Sequence, residues 1–359
     1  MDLSIARASR YTRAGSRWAR LLVSGKPSPG VRVFYGHDRV PGPGERAAGG
    51  NAKAQKLAER FPSSPTDFSL LYLGSTWLPR DLRPLLSLAA RSEIPVVVNQ
   101  DGVGYPGWAG ARTEAVNRPL RQAVQAADHV LYQSEFSKRS ADLFLGESRG
   151  SWELLPNAVD VAHFTPSEAP PPSGPVLLLG GDQTQAYRLE LALRTLSVLL
   201  PRHPDASLLV TGRLLSSAKP LIATLGLEGR VHLLGEYPQR DAPGIFRRAH
   251  LLLHTKVNDP CPTLVLEAMA CGLPVVYAAS GGTPELVDEA GVGVPHAESW
   301  ERDEPPDPEA LAYAVDRVLA DLEVFSAAAR LRAVERFALE PWLDRHAELF
   351  AELELRRSR

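Results

Sequence analysis

The stretch Asp259–Val276 reads DPCPTLVLEAMACGLPVV, with two carboxylates, Asp259 and Glu267, eight positions apart. Pro260 and Pro262 lie between them. Proline fits a loop or the first turn of a helix, so the pattern predicts a loop leading into a helix that starts at about Thr263. From Thr263 to Cys271 apolar residues cover every face, which is the mark of a buried helix. Glu267 is the only charge in it. A carboxylate in such a place is costly unless something hydrogen-bonds to it. No cation lies within a helical turn along the chain, so the partner comes from another segment or from a ligand. Two partners remain open: an arginine from a neighbouring element, or the adjacent hydroxyls of a ribose, which a carboxylate suits. The free N–H groups at Thr263 and Leu264, aided by the helix dipole, suit a phosphate. Gly281 and Gly282, past the next strand, allow close backbone approach to the same ligand, or form an ordinary tight turn.

These residues need a scaffold. With 359 residues, two domains are expected. The chain is 44% hydrophobic and 23% charged, as a soluble globular protein is. A net charge of −2 gives no argument for a nucleic-acid partner, and none is expected. The two cysteines, Cys261 and Cys271, form neither a disulfide framework nor metal-ligand spacing, and a reducing cytoplasm fits them. No apolar run is long enough to span a membrane. Residues 1–30 differ from the rest. Arg7, Arg10, Arg13, Arg17, Arg20 and Lys26 face a single acid, Asp2, with Ile5, Trp18, Leu21 and Leu22 among them. A basic amphipathic helix there could lie on an anionic membrane surface, or dock on the protein body.

From residue 31 onward strands alternate with helices. Strands are expected at 31–37, 68–75, 94–100, 129–134, 176–181, 206–213, 231–236, 250–255 and 274–279, and helices at 51–61, 119–127, 135–146, 187–200, 242–249, from 263, and through the last fifty residues. The alternation implies parallel sheets covered on both faces. Residues 164–175, FTPSEAPPPSGP, carry five prolines and read as the domain boundary. The fold class is therefore α/β, with two doubly wound domains facing across a cleft. The expected division is a basic extension 1–30, a domain 31–163, a linker 164–175 and a domain 176–339, with the helix 340–359 crossing back to the first domain.

The stretch DPCPTLVLEAMACGLPVVYAASGGTPELV resembles the donor-site signature of the retaining glycosyltransferases of the GT-B fold, family 4. LLPNAVDVAHFTP (154–166) resembles that family's interdomain segment. RVHLLGEYPQRDAPGIFRRAHLLL and ERFALEPWLDRHAELF resemble its stretch before the donor motif and its closing helix. The resemblance implies that Glu267 binds the donor ribose and that Asp259 contacts hydroxyls of the transferred sugar, where the family usually has Glu. It implies that Thr263 and Leu264 offer backbone N–H groups, and that Gly282 and Glu285 line the same pocket. The family usually places an Arg and a Lys on the diphosphate. Here Asp182 holds the Arg position, and Tyr187 or Arg188 falls near the Lys position. Arg188 is the candidate cation, with Lys256 in reserve. GPGERAAGGNAK (42–53) resembles the glycine-rich loop, where Gly50 admits the donor phosphate or acceptor. Asp101 stands where the family has His, to orient or deprotonate the acceptor hydroxyl, or simply to form a turn with Gly102. Tyr105 and Trp108 are candidates for an acceptor platform, or for packing of their own loop. The implied reaction moves a sugar from a nucleotide-diphosphate sugar to a glycan or lipid-linked acceptor, with no cofactor and no metal. The alternatives are a binding-only relative, or a GT-B nucleotide-sugar epimerase.

Overall fold

The computed structural model describes residues 30–45, 47, 49–168 and 173–357. The basic segment, apart from Gly30, and residues 169–172 of the proline-rich stretch lie outside the described residues. The chain divides into two compact units. One takes residues 30–105, Ala109–Leu155 and 343–357, the other Pro106–Trp108 and Pro156–Trp342.

In the first unit five strands pair in chain order, all parallel: β1 (Val33–Phe34), β2 (Leu70–Gly74), β3 (Val96–Gln100), β4 (His129–Tyr132) and β5 (Ser151–Leu154). Helices α1 (Gly50–Arg60), α2 (Leu82–Arg91), α3 (Pro106–Ala109), α4 (Thr113–Ala126) and α5 (Glu135–Leu145) fall between them along the chain. The runs LLYLG and VVVNQ are buried throughout, as strands covered on both faces are. On one face Leu71, Leu73, Val98 and Val130 meet Leu85 and Leu88 of α2, Leu120 and Val124 of α4, and Leu145 of α5. Ser134 caps α5 by accepting the Ser137 N–H at 3.0 Å, and Gly146 closes it at φ 82°. The first strand is shorter than its sequence suggests. Gly36 turns the backbone at φ 80°, close under Pro79, and ends the pairing.

The second sheet runs β11-β10-β9-β6-β7-β8, again all parallel: β6 (Val176–Leu179), β7 (Ser207–Thr211), β8 (Val231–Gly235), β9 (Leu251–His254), β10 (Val275–Ala278) and β11 (Gly291–Val294). Its helices are α6 (Ala186–Leu199), α7 (Ala218–Thr224), α8 (Ala242–Phe246), α9 (Thr263–Ala270), α10 (Thr283–Val287), α11 (Pro308–Ala320) and α12 (Leu322–Phe337). Leu177 and Leu179 of β6 face α6 and α11, while Leu178 faces the opposite side with Val265 and Met269 of α9 and Ala329 and Ala333 of α12. A last helix, α13 (Leu339–Arg357), joins the first unit from Leu343 onward. There Phe350 packs on Phe61 and Tyr72, and the His346 ring nitrogen lies 3.2 Å from the Tyr72 hydroxyl. No described helix is long and apolar enough to cross a membrane.

The units change over at Leu155, not at 163, and the proline-rich segment falls inside the second unit. Residues 156–164 are tied down there. The Asn157 side-chain amide donates to the Cys261 carbonyl at 2.8 Å, Val159 N–H donates to Phe337 O at 2.8 Å, and Phe164 packs against Phe246.

Candidate functional site

The second sheet is built outward in both directions from β6 and β9. The connections reverse between those strands, and ligands of such sheets bind outside the carboxyl ends at that reversal. Four loops gather there, after β6, β7, β9 and β10, around the start of α9. Glycines let them approach. A Cβ on Gly180 would stand 2.5 Å from Leu264 Cδ2, and one on Gly281 would come within 3.0 Å of the Asp259 backbone. Gly282 N–H donates to Asp259 O at 2.8 Å, and Asn258 N–H to Ser280 Oγ at 3.0 Å. The first helical amides, Thr263 and Leu264, have no acceptor within the helix.

Glu267 is buried on α9, as the apolar pattern requires, at 8% exposure. Gln239 donates its side-chain amide to Glu267 Oε1 at 2.5 Å. This partner is neutral. Burial, and then the Glu267 charge, push the Tyr237 phenol up to about 12. Asp259 pairs with Lys256 at 3.1 Å. Burial would raise its pKa, but Lys256 and Arg188 outweigh that and hold the carboxyl below the usual aspartate value. Lys256, held in reserve for a phosphate, is thus a partner of Asp259. His254, at the end of β9, is 2% exposed, and neither ring nitrogen has a hydrogen-bond partner. Burial pushes its pKa down to about 3, so it is neutral. Asn258 Oδ1, Gln183 Oε1 and Thr283 Oγ1 are also buried without partners.

The arginine expected on a diphosphate is placed differently. Arg188 is 6% exposed, and its Nη1 and Nη2 donate to Asp182 O at 2.7 Å and Gly180 O at 3.1 Å. Its fork braces the loop after β6 from within, and burial lowers its pKa. The Tyr187 hydroxyl accepts the Val257 N–H at 3.2 Å and so fixes the β9 loop. Glu285 is exposed in the first turn of α10, its N–H on Gly282 O.

In the first unit Asp101 follows β3 and is buried. Lys53, from the first turn of α1, and Gln133 both donate to its Oδ1, and Thr76 donates to Oδ2 at 2.6 Å. Thr76 Oγ1 accepts the Gly50 N–H at 2.6 Å. A Cβ on Gly50 would meet the Trp77 backbone at 3.1 Å and Gly74 Cα at 3.2 Å, so Gly50 closes the glycine-rich loop onto β2 rather than standing open. The expected platform is not presented by both rings: Tyr105 is buried, and only Trp108, half-exposed, shows its face to solvent. The partners Gln239, Lys53 and Arg213, an exposed arginine after β7, escape sequence reading because they come from elements far along the chain from the acids they serve.

A family model described as glycosyl transferases group 1 matches residues 164–332. This segment, a little under half of the chain, is similar to that family. The chain is 24% identical over 188 residues to a human phosphatidylinositol N-acetylglucosaminyltransferase, covering 51% of this chain and 38% of that protein. It is 26% identical over 303 residues to a GDP-mannose-dependent phosphatidylinositol monomannoside mannosyltransferase of Mycolicibacterium smegmatis, covering 77% and 73%. The chain spans less than half the length of the human relative and of its Arabidopsis thaliana counterpart, for which the share is 47%. Among solved structures, Anabaena HepE in complex with UDP superposes with TM-score 0.65 at 20% identity, covering 84% of this chain and 81% of that one. Sucrose-phosphate synthase of Thermosynechococcus elongatus gives 0.66 at 18% identity, covering 92% and 96%. These likenesses show the GT-B fold, two α/β units each with a parallel sheet.

Proposed function

We propose that this protein is a retaining glycosyltransferase that moves a sugar from a nucleotide-diphosphate sugar to a hydroxyl of a glycan or lipid-linked acceptor. One observation carries the reading: a buried carboxylate, Glu267, held by the neutral amide of Gln239, sits about one helical turn below free amides at the carboxyl end of the sheet's reversal. That arrangement fits a ribose on Glu267 and a phosphate at Thr263 and Leu264. Asp259, kept ionised, takes hydroxyls of the transferred sugar, with Gly282 and Glu285 beside it. The bond from the anomeric carbon to the diphosphate breaks as the acceptor oxygen bonds to the same face of that carbon. The departing diphosphate oxygen takes the acceptor's proton. The protein's task is to stabilise charge on the leaving group, by amides and helix dipole. No metal or cofactor enters the proposal.

The names of the relatives support the substrate classes: one uses GDP-mannose, two act on phosphatidylinositol-based acceptors, and HepE is solved with UDP. A cytoplasmic place, with residues 1–30 touching a membrane that bears the acceptor, belongs to the proposal on the strength of the basic sequence. A second reading is a binding-only relative, favoured by the closed Asp101–Lys53 pair and by Asp182 where a cation would serve. Calorimetry with UDP, GDP, ADP, TDP and CDP tests the first step. One nucleotide should bind wild type and be lost in Glu267→Gln. Wild-type protein that is folded and binds none of the five sinks the transferase reading. Binding without release of diphosphate in the presence of nucleotide-sugar and acceptors favours the second.

A further inference from the structure

The loop after β6 carries an acid where the proposed diphosphate would lie, and the structure supplies its counterpart from the next strand. Gly212 stands at φ 83°, and a Cβ there would come within 3.0 Å of Gly181 and of the Asp182 N. The loops after β6 and β7 therefore run on side by side, backbone against backbone. Gln183 N–H donates to Arg213 O at 2.8 Å, and Gln183 bridges Leu214. This extension fixes the place of Arg213. Its backbone N–H donates to Asp182 Oδ1 at 3.0 Å, and its Nε and Nη2 donate to Oδ2 at 2.8 and 2.5 Å. Glu236, after β8, lies 3.9 Å away on the other side. Nη1 has no hydrogen-bond partner among the described residues, and the side chain is 62% exposed.

Three cations stand at this end of the sheet, and they differ in what they can still do. Arg188 has given two nitrogens to carbonyls and is buried. Lys256 neutralises Asp259. Arg213 is the most exposed of the three and keeps an unused donor in Nη1. It lies next to the loop whose Gly180 carries Leu264 of α9, so an anion at the free amides of α9 is a neighbour of the Asp182–Arg213 pair.

We propose that Arg213 is the residue that binds the donor diphosphate, and that Asp182 positions it. The charge is transposed: the acid sits on the β6 loop and the guanidinium reaches back from β7. Asp182 holds Arg213 in one orientation, so little side-chain freedom is lost when phosphate oxygens meet Nη1 and share Nη2. The carboxylate also competes with the phosphate. Removing it therefore strengthens diphosphate binding, whereas removing the arginine weakens it.

This inference rests on the nucleotide-sugar reading, and the experiment separates the two. Calorimetry compares the tightest-binding nucleoside diphosphate of the five with its parent nucleoside, for wild type, Arg213→Ala, Arg213→Lys and Asp182→Asn. Arg213→Ala should weaken the diphosphate about tenfold and leave the nucleoside within about twofold, with partial rescue in Arg213→Lys. Asp182→Asn should tighten the diphosphate and leave the nucleoside unchanged. Both differences should shrink as salt is raised. An Arg213→Ala protein that binds the diphosphate as wild type does, or loses nucleoside equally, overturns the assignment while the nucleotide reading stands. Wild type that binds no nucleotide overturns both.

Discussion

Two buried acids at the carboxyl ends of the two sheets, Asp101 and Glu267, are held in different ways. In the first unit Asp101 and Lys53 are closed on each other, and Thr76 and Gln133 complete the carboxylate. In the second unit Glu267 has a neutral amide, His254 lies 3.7 Å from Asp259 without a hydrogen bond on either nitrogen, and Asn258, Gln183 and Thr283 each leave a buried oxygen unpaired, as Asn99 and Gln100 each leave one polar atom in the first. Buried polar groups are ordinarily paired, so a concentration of unpaired ones marks a place suited to a ligand. A closed cluster does a different job: it fastens backbone. Through Thr76, Asp101 fastens the turn at Gly50. The acid expected to meet an acceptor hydroxyl is thus a brace in the first unit, while the acid that looked stranded in the second is held by a neutral amide.

Five substitutions break or sharpen this contrast. The largest effect is expected at the closed end. Lys53→Met leaves Asp101 buried without its cation, and chemical denaturation should show a loss of about 3–5 kcal/mol. Adding Asp101→Asn to that variant should recover much of it; a double variant no better than the single one would mean that the pair does not act as a closed unit. At the open end Glu267→Gln should change stability by less than about 1 kcal/mol, yet weaken nucleotide about a hundredfold, or about 2.7 kcal/mol, by calorimetry.

Third comes the pH response. His254 titrates near 6.5 in the unfolded chain and near 3 when folded, because burial disfavours its charged form. The folded state binds the proton less readily. The stability at stake is complete above pH 6.5 and is lost as pH falls toward 3, at about 1.4 kcal/mol per pH unit. Between pH 6.5 and about pH 5, wild type should lose about 2 kcal/mol more than His254→Gln. Equal slopes would show that His254 is not held neutral. The smallest effect is Asp182→Asn, which removes an exposed pair and should cost less than about 1 kcal/mol of stability. A larger loss would make that pair a structural brace like Lys53–Asp101.

Much of the scaffold was readable from the chain because buried parallel strands announce themselves. LLYLG, VLLL and the VVV that opens VVVNQ are apolar, largely aliphatic runs, and the helix at Thr263 begins where its prolines end. Other elements carry no such signal. The edge strand β5, SWEL, is half-exposed and has a single neighbour, so nothing demands apolar residues. The strand β11 reads GVGV, and Gly291 is there because any Cβ would strike Val275. Helix α2 shows apolar residues at 82, 85, 88 and 89, but Pro84 in its first turn disguises it. The run 309–337 is two helices, since Asp321 leaves helical geometry at φ −123°. At the site, residue types and spacing exposed Glu267 and Asp259 as candidates. They did not expose Gln239, which arrives from 28 residues upstream, or Arg213, which lies 31 residues beyond Asp182.

The late return of α13 has a consequence for how the chain is made. Residues 156–342 are continuous, so the second unit can complete its core while the remainder is still being synthesised. The first unit cannot. Tyr72 and Phe61 wait for His346 and Phe350, which emerge from the ribosome nearly 300 residues later. Until then the part of the first sheet that His346 and Phe350 cover stands open, and of the two units the one translated earlier matures later.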